Sequence, residues 1–420
     1  MINSGDTAWV LASGALVLFM TPGLAIFYGG MVRSKSVLNM MMMSFAAIGV
    51  TTVIWVLYGY SLAFGPDNGS GLIGDFSQVG LSKAMNQTVG APGHHIPTLA
   101  FAMFQLTFAI VTIALISGAI ADRAKYGSWV LFVGVWITLV YIPIAHWAFA
   151  SQNGNGGWIV DRLGALDFAG GTVVEINSGA SALALAIVIG KRNGFRRDPM
   201  RPHNMPLVLL GAGMLWFGWF GFNAGSALSA GSVAATAMIN TQIATAAAAM
   251  SWIVYEKIRE GKSTTLGVAS GAIAGAVAIT PACGFITPLG ALIVGAIAGP
   301  LAAFAVSRKY KLGYDDSLDV VGVHGIGGIL GMLSIGFLAT TAANEAGGMG
   351  LLHHGSFSLL GKQFIAIIAT AAFSFTATFI IAKVISKTIG FRAFHEDELA
   401  GLDTVFHAES AYDLSGTSNR

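Results

Sequence analysis

Eleven stretches of this chain, most of them twenty residues or longer, run almost without charge, and the ionisable residues are gathered into short clusters between them. A helix needs about 20 apolar residues to cross a bilayer, and in lipid a helix satisfies its own backbone hydrogen bonds. The pattern therefore predicts an all-α polytopic membrane protein with 11 transmembrane helices. They lie near 7–32, 37–64, 96–121, 128–150, 168–190, 205–225, 233–255, 265–280, 286–307, 318–340 and 358–385, the eighth being short and ending at Pro281. Composition agrees. Only 10% of the 420 residues are charged and the mean hydropathy is +0.71, where a soluble domain carries roughly 25% charged residues. The N-terminal MINSGD lacks a basic leader, and the first apolar run is too long for a signal peptide, so it reads as an uncleaved first span.

Lysines and arginines alternate between the loops. Clusters around Arg33, Arg123, Lys191 to Arg201, Lys257, Arg308 and the C-terminus hold 19 of the 22; Lys83, Arg162 and Lys362 are the rest. The positive-inside rule places the N-terminus outside and the C-terminus in the cytoplasm. The fifth and tenth spans then run in opposite directions, and each opens with an Asp followed eight residues later by one titratable group: Asp167 and Glu175, Asp316 and His324. Eight residues of helix is roughly 12 Å, so both groups approach the middle of a core roughly 30 Å thick. This predicts two five-helix halves as an inverted repeat, with Glu175 and His324 as two parts of one midplane site. An ionisable residue inside a membrane helix is a functional candidate by default. Asp167 and Asp316 stand where helices begin and suit capping. Asp315 and Asp319 neighbour Asp316, and the sequence leaves open which of the three caps. Small residues at spacings of four, Ser178 to Gly190, Gly267 to Gly275 and Ala291 to Gly299, predict close helix packing.

Aromatic residues mostly pack or anchor membrane helices. Phe104 and Phe108 nevertheless share a face of the third span, Trp147 and Phe149 end the fourth, and Trp219 and Phe222 precede Ser226 at the end of the sixth. A ring cluster at a pore mouth can hold a small cation, with the Ser226 hydroxyl accepting a hydrogen bond. Other chemistry is excluded. The single cysteine, Cys283, rules out an internal disulfide and a cysteine-based metal cluster. The adjacent pairs His94–His95 and His353–His354 lack helical metal-ligand spacing. GIGGILG from Gly325 does not fit the dinucleotide fingerprint, and no P-loop or nucleophile elbow is present. The chain reads as a protein that is not an enzyme, with no cofactor, no metal and no nucleic-acid partner.

Across nearly its whole length the sequence resembles the ammonium transporter family (Amt/Mep, related to the Rhesus proteins). The resemblance rests on TPGLAIFYGGMVRSKSVLN, MFQLTFA, ALDFAGGTVV, WFGFNAGSAL, ITPACGF and GVHGIGGILG. It implies a multi-pass protein of the cell membrane, in contact with lipid and assembled as a homotrimer with one narrow apolar pore per subunit. It implies that ammonium, with methylammonium a further candidate, is recruited outside, loses its proton and crosses as ammonia. Carried over by motif, Phe108 and Phe222 resemble the stacked gate, Phe104 a vestibule ring, Ser226 the outer acceptor, Asp167 the acid near the recruitment site, Trp219 a pore-lining ring and His324 the second pore histidine. Glu175 replaces the usual first histidine, as in some fungal members. Phe149 replaces an outer tryptophan, a weaker cation binder, unless Trp147 compensates. The resemblance also implies a membrane domain over 1–388 and a cytoplasmic regulatory tail over 389–420, with a PII-type signalling protein as a partner. A sensor with little flux and a Rhesus-type neutral ammonia channel are the alternative functions.

Overall fold

The computed structural model describes residues 1–412 except Asn153 and Pro199, so Asp413 and Arg420 of the tail lie outside the described residues. Among the described residues ten helices are long and apolar enough to cross a membrane: α1 (Ser4–Met31), α2 (Val37–Phe64), α3 (Thr98–Ile120), α4 (Tyr126–Phe149), α5 (Gly171–Ile189), α6 (Met205–Gly225), α7 (Ser232–Glu260), α9 (Pro288–Leu312), α10 (Val321–Leu338) and α11 (Phe357–Thr388). Between α7 and α9 lies α8 (Thr265–Ile279), which is apolar but only 15 residues long. The protein is thus an all-α, multi-spanning membrane protein. Besides helices, the loop before α3 carries a small antiparallel pair, β1 (Thr88–Val89) and β2 (Ile96–Pro97).

The starts of these helices follow from their sequences. Asn204, Thr264 and Thr287 each accept a backbone N–H from the first turn of α6, α8 and α9, the ordinary use of a short polar side chain at an N-cap. Pro206 and Pro288 stand at the first positions, where a missing N–H costs nothing. Small residues then set the packing. Gly271 and Gly275 of α8 and Gly295 and Gly299 of α9 lie against Ala244, Ala248 and Trp252 of α7, so closely that an added Cβ would meet backbone within 3 Å. The glycine spacing predicted this contact. Gly211, Gly218 and Gly221 bring α6 against Phe27, Met20 and Leu16 of α1 in the same way.

After α11 the chain folds back over the Lys- and Arg-rich loops through α12 (His395–Ala400) and α13 (Leu402–His407). Arg392 pairs with Ala124 as an isolated bridge. Lys35 Nζ donates to Leu399 O at 2.5 Å, and Asn39 N to Asp403 Oδ1 at 2.8 Å. Beneath this segment Arg192 forks onto Asp315, with nitrogen–oxygen distances of 2.9 and 3.0 Å. Burial alone would raise the Asp315 pKa. The hydrogen bonds of Arg192 and the charge of Arg123 outweigh it and hold that carboxyl below the usual range.

Candidate functional site

Both central residues sit in irregular first turns. At the start of α5 the backbone turns through Gly170 at φ 119°, a conformation that glycine adopts without strain. Asp167 accepts the N–H groups of Gly170, Gly171 and Thr172 at 2.7–2.8 Å and also the Thr172 hydroxyl. The first turn, Gly171–Ile176, is π-helical and carries Glu175. At the start of α10 Asp316 Oδ2 accepts Val321 N at 2.8 Å, and the π-helical turn Val321–Gly325 carries His324. The question among three acids is thereby answered. Asp316 caps, Asp315 holds Arg192, and Asp319 pairs with Lys309. Single π-turns inside α-helices concentrate at functional sites, and here the two helices place one each beside the same axis.

The helices can meet because neither carries bulk at the crossing. A Cβ on Gly179 would lie 2.3 Å from Gly325 Cα, and one on Gly328 would lie 2.7 Å from Glu175 Cβ. His324 Nδ1 is hydrogen-bonded to Glu175 Oε2 at 2.7 Å, with Glu175 fully buried and His324 4% exposed. Glu175 Oε1 has no protein partner. Both side chains line a narrow internal cavity with free volume for water-sized molecules of about 20 Å³, room for little more than one water. Its other walls are mainly apolar, among them Met20, Leu24, Val111 and Leu215, with Trp219 and Phe222 toward one end and Leu318 and Asp319 toward the other.

Beyond Phe222 the rings close the passage. Phe108 and Phe222 stack with centroids 4.2 Å apart and planes at 29°. Phe104 meets Phe108 edge-on at 4.9 Å, and Phe149 does so from another side at 6.4 Å. Trp219 packs beside Phe222 at 5.7 Å and donates Nε1–H to Thr280 Oγ1 at 2.8 Å. Ser226 Oγ donates to Phe222 O at 2.8 Å, which leaves its lone pairs free to accept.

One expectation changes in detail. Trp147 does not stand in for Phe149. Its indole donates to Leu72 O at 2.9 Å and packs on Trp158 and Phe373, so it is fixed to the neighbouring loop and to α11. Asp167 accepts the first amides of α5 with both oxygens, the capping role that its place at a helix start suggested. Neither the π-turns nor the apolar wall had a signal in the sequence, because its leucines, valines and methionines look like those of any membrane core. Thr280, the partner of Trp219, had a signal in principle: a threonine beside a proline at the end of a short helix. Among the described residues no group of three or more His, Cys, Asp or Glu is placed to hold a metal ion.

Fold and site together define a class: a multi-pass membrane protein with a tight apolar passage, ringed by aromatics at one end and crossed by a buried carboxylate–imidazole pair. The sequence pattern of the Ammonium Transporter Family matches residues 8–412, and the chain belongs to that family. An ammonium transporter of Mycobacterium bovis is 52% identical over 437 residues, covering 99% of this chain and 92% of that protein. The crystal structure of Saccharomyces cerevisiae Mep2 is similar with a TM-score of 0.85 at 34% identity, covering 94% of this chain and 88% of that one. A protein described as Sensor Amt Protein is similar with a TM-score of 0.86 at 27% identity, covering 96% and 98%. Ammonium or ammonia is therefore the substrate class, the cell membrane the location, and transport rather than catalysis the function.

Proposed function

We propose that this protein recruits ammonium at the outer aromatic site, removes its proton and conducts ammonia through the apolar passage, while the proton travels separately by way of Glu175 and His324. The observation that carries the reading is the 2.7 Å contact of those two side chains inside a cavity otherwise lined mainly by hydrocarbon. Ammonium and potassium are similar in size, so a filter of diameter alone passes both. Only ammonium can shed its charge, and an ion that keeps its charge meets a desolvation cost of many kcal/mol in such a passage. The ring faces of Phe104, Phe108 and Phe149 and the lone pairs of Ser226 suit a cation. The Phe108–Phe222 stack opens for the small molecule that follows. Trp219, held by Thr280, gives the passage a rigid wall. Between Oε2 and Nδ1 a single proton serves two acceptors, and the free Oε1 offers a third position for it.

The topology fits this scheme. Eleven crossings, an N-terminus outside and two five-helix halves of opposite direction account for an acid cap and a π-turn at the head of both α5 and α10. A homotrimer and a PII-type partner on the cytoplasmic face rest on the family resemblance. Residues 1–388 then act as the membrane domain and 389–420 as a regulatory tail, a reading supported by the contacts of α12 and α13 with Lys35 and Asn39. Deleting residues 391–420 should lower ammonium flux while leaving the assembly intact on size-exclusion chromatography, and full flux after deletion would argue against a regulatory tail.

For the relay, Glu175→Leu should reduce ammonium-driven current in proteoliposomes by a hundredfold or more, about 2.7 kcal/mol in barrier, while Glu175→His should keep current with an altered pH profile. Current and pH profile unchanged in the leucine variant would remove the relay. A sensor with little flux is the second reading, favoured by the likeness to the Sensor Amt Protein, and the parent current separates the two.

A further inference from the structure

The loop between α5 and α6 encloses, together with the end of α9, a concavity of about 480 Å³ on the Lys- and Arg-rich face. Its floor is Arg192, its wall Phe195, Tyr310 and Met200, and its rim Arg196, Arg197 and Asp198. The cations here fall into two sets. Arg192 and Lys309 are buried and each is paired, with Asp315 and Asp319. Lys191, Arg196 and Arg197 are exposed, and among the described residues no carboxylate lies within ion-pair distance of any of them. Asp198 is the single acid on the rim, so positive charge is in excess around the opening.

Two of the unpaired cations, Lys191 and Arg196, have an aromatic partner. Phe195 and Tyr310 stack with centroids 5.7 Å apart and planes at 15°. Lys191 Nζ lies 6.0 Å and the Arg196 guanidinium 5.8 Å from the centre of the Phe195 ring, within cation–π range. Arg196 adopts a left-handed backbone at φ 69°, uncommon for a residue with a side chain. Such strain persists where the surrounding structure fixes it, often at ligand-binding positions.

We propose that this concavity binds a phosphate group, carried either by an anionic phospholipid headgroup or by a small soluble phosphate. Arginine forks match phosphate oxygens in pairs, and two unpaired guanidinium groups converge on one opening. Basic pockets at the ends of membrane helices take lipid headgroups. Exposed Tyr310 and Leu312 at the end of α9 offer apolar contact to the rest of a lipid. Arg192 does not ligate directly, because its Nε–Nη2 edge is occupied by Asp315 and its Nη1 lies against Asp122.

The test uses the full-length protein in detergent. Phosphatidylglycerol and phosphatidylcholine are titrated in mixed micelles, and inorganic phosphate is titrated against chloride at constant ionic strength, with bound ligand read by native mass spectrometry and by thermal shift. Each basic residue near a membrane surface contributes about a fivefold gain, so Arg196→Ala/Arg197→Ala should bind roughly thirtyfold more weakly. Preference for phosphatidylglycerol that is lost in the double variant assigns a lipid. Stabilisation by inorganic phosphate that is lost in the same variant assigns a soluble phosphate. Equal affinities of parent and variant for both ligands overturn the site. If the double variant does not fold, Arg197→Gln on the exposed rim gives the same readout at about fivefold.

Discussion

Every nitrogen of the buried Arg123 guanidinium donates a hydrogen bond, to Gly190 O, Ala121 O, Ser317 Oγ, Ala119 O and Asp315 O, whereas Glu175, equally buried, has one carboxylate oxygen bonded and one without a partner. The first region ties the ends of α3, α5 and α10 together at the face where the tail docks. The second lies in a cavity between α5 and α10. A buried charge whose hydrogen bonds are complete is structural, since nothing remains for a passing molecule. A buried charge left incomplete beside an open space keeps a position for a proton or a substrate. A half-satisfied polar group costs stability, so its presence asks for a reason outside stability, and transport supplies one.

The largest effect should come from breaking the completed network. Arg192→Met leaves Asp315 buried beside a hydrocarbon chain, and removing one partner of a buried ion pair costs about 3–5 kcal/mol. Thermal unfolding in detergent should show a large fall in melting temperature, or the variant should fail to accumulate in the membrane. A loss under about 1 kcal/mol would erase the contrast between the two regions. The Glu175–His324 pair should behave in the opposite sense. In Glu175→Leu/His324→Leu both ionisable partners give way to apolar groups, a change that is often neutral or stabilising by about 1–4 kcal/mol. Melting temperature should hold or rise while ammonium flux in proteoliposomes falls to background. A strongly destabilised double variant would move Glu175 and His324 into the structural class.

Much of the fold was legible in the sequence because membrane helices announce themselves by length and charge exclusion. The ranges of α2 and α6 coincide with the apolar runs at both ends, and Pro281 marked the short α8. Glu175 and His324 stood out for the same reason: an ionisable group in an apolar run has no ordinary role. What stayed hidden has physical causes too. The π-turns at Gly171–Ile176 and Val321–Gly325 lie beside the close contact of Gly179 with Gly325, residues far apart in the chain. The fate of Trp147 was decided by a carbonyl in a distant loop, Leu72 O, which no local pattern encodes. The Arg192–Asp315 pair joins residues 123 positions apart, and clusters of charge between spans read only as loops until the fold closes them.

Asp316 stands between the two regions and gives the finest test. It belongs to the Lys- and Arg-rich end, yet like Glu175 it has one carboxylate oxygen without a partner. Burial pushes its pKa up to about 6, with Lys309 opposing the shift and Asp319 adding to it. An ordinary aspartate has a pKa near 3.9, so between about pH 4 and 6 the folded protein keeps a proton that the unfolded chain has lost. Stability must then fall as pH rises through that window and level off above it. In Asp316→Asn the amide oxygen can still accept Val321 N, and the titration is gone. Melting temperatures of parent and variant in detergent at pH 4.5 and pH 7.5 should therefore differ in one direction, with the parent losing a few degrees relative to the variant at the higher pH. Parallel profiles would show that the unpartnered oxygen of Asp316 carries no cost, and the unpartnered oxygen of Glu175 would then need no reason outside stability.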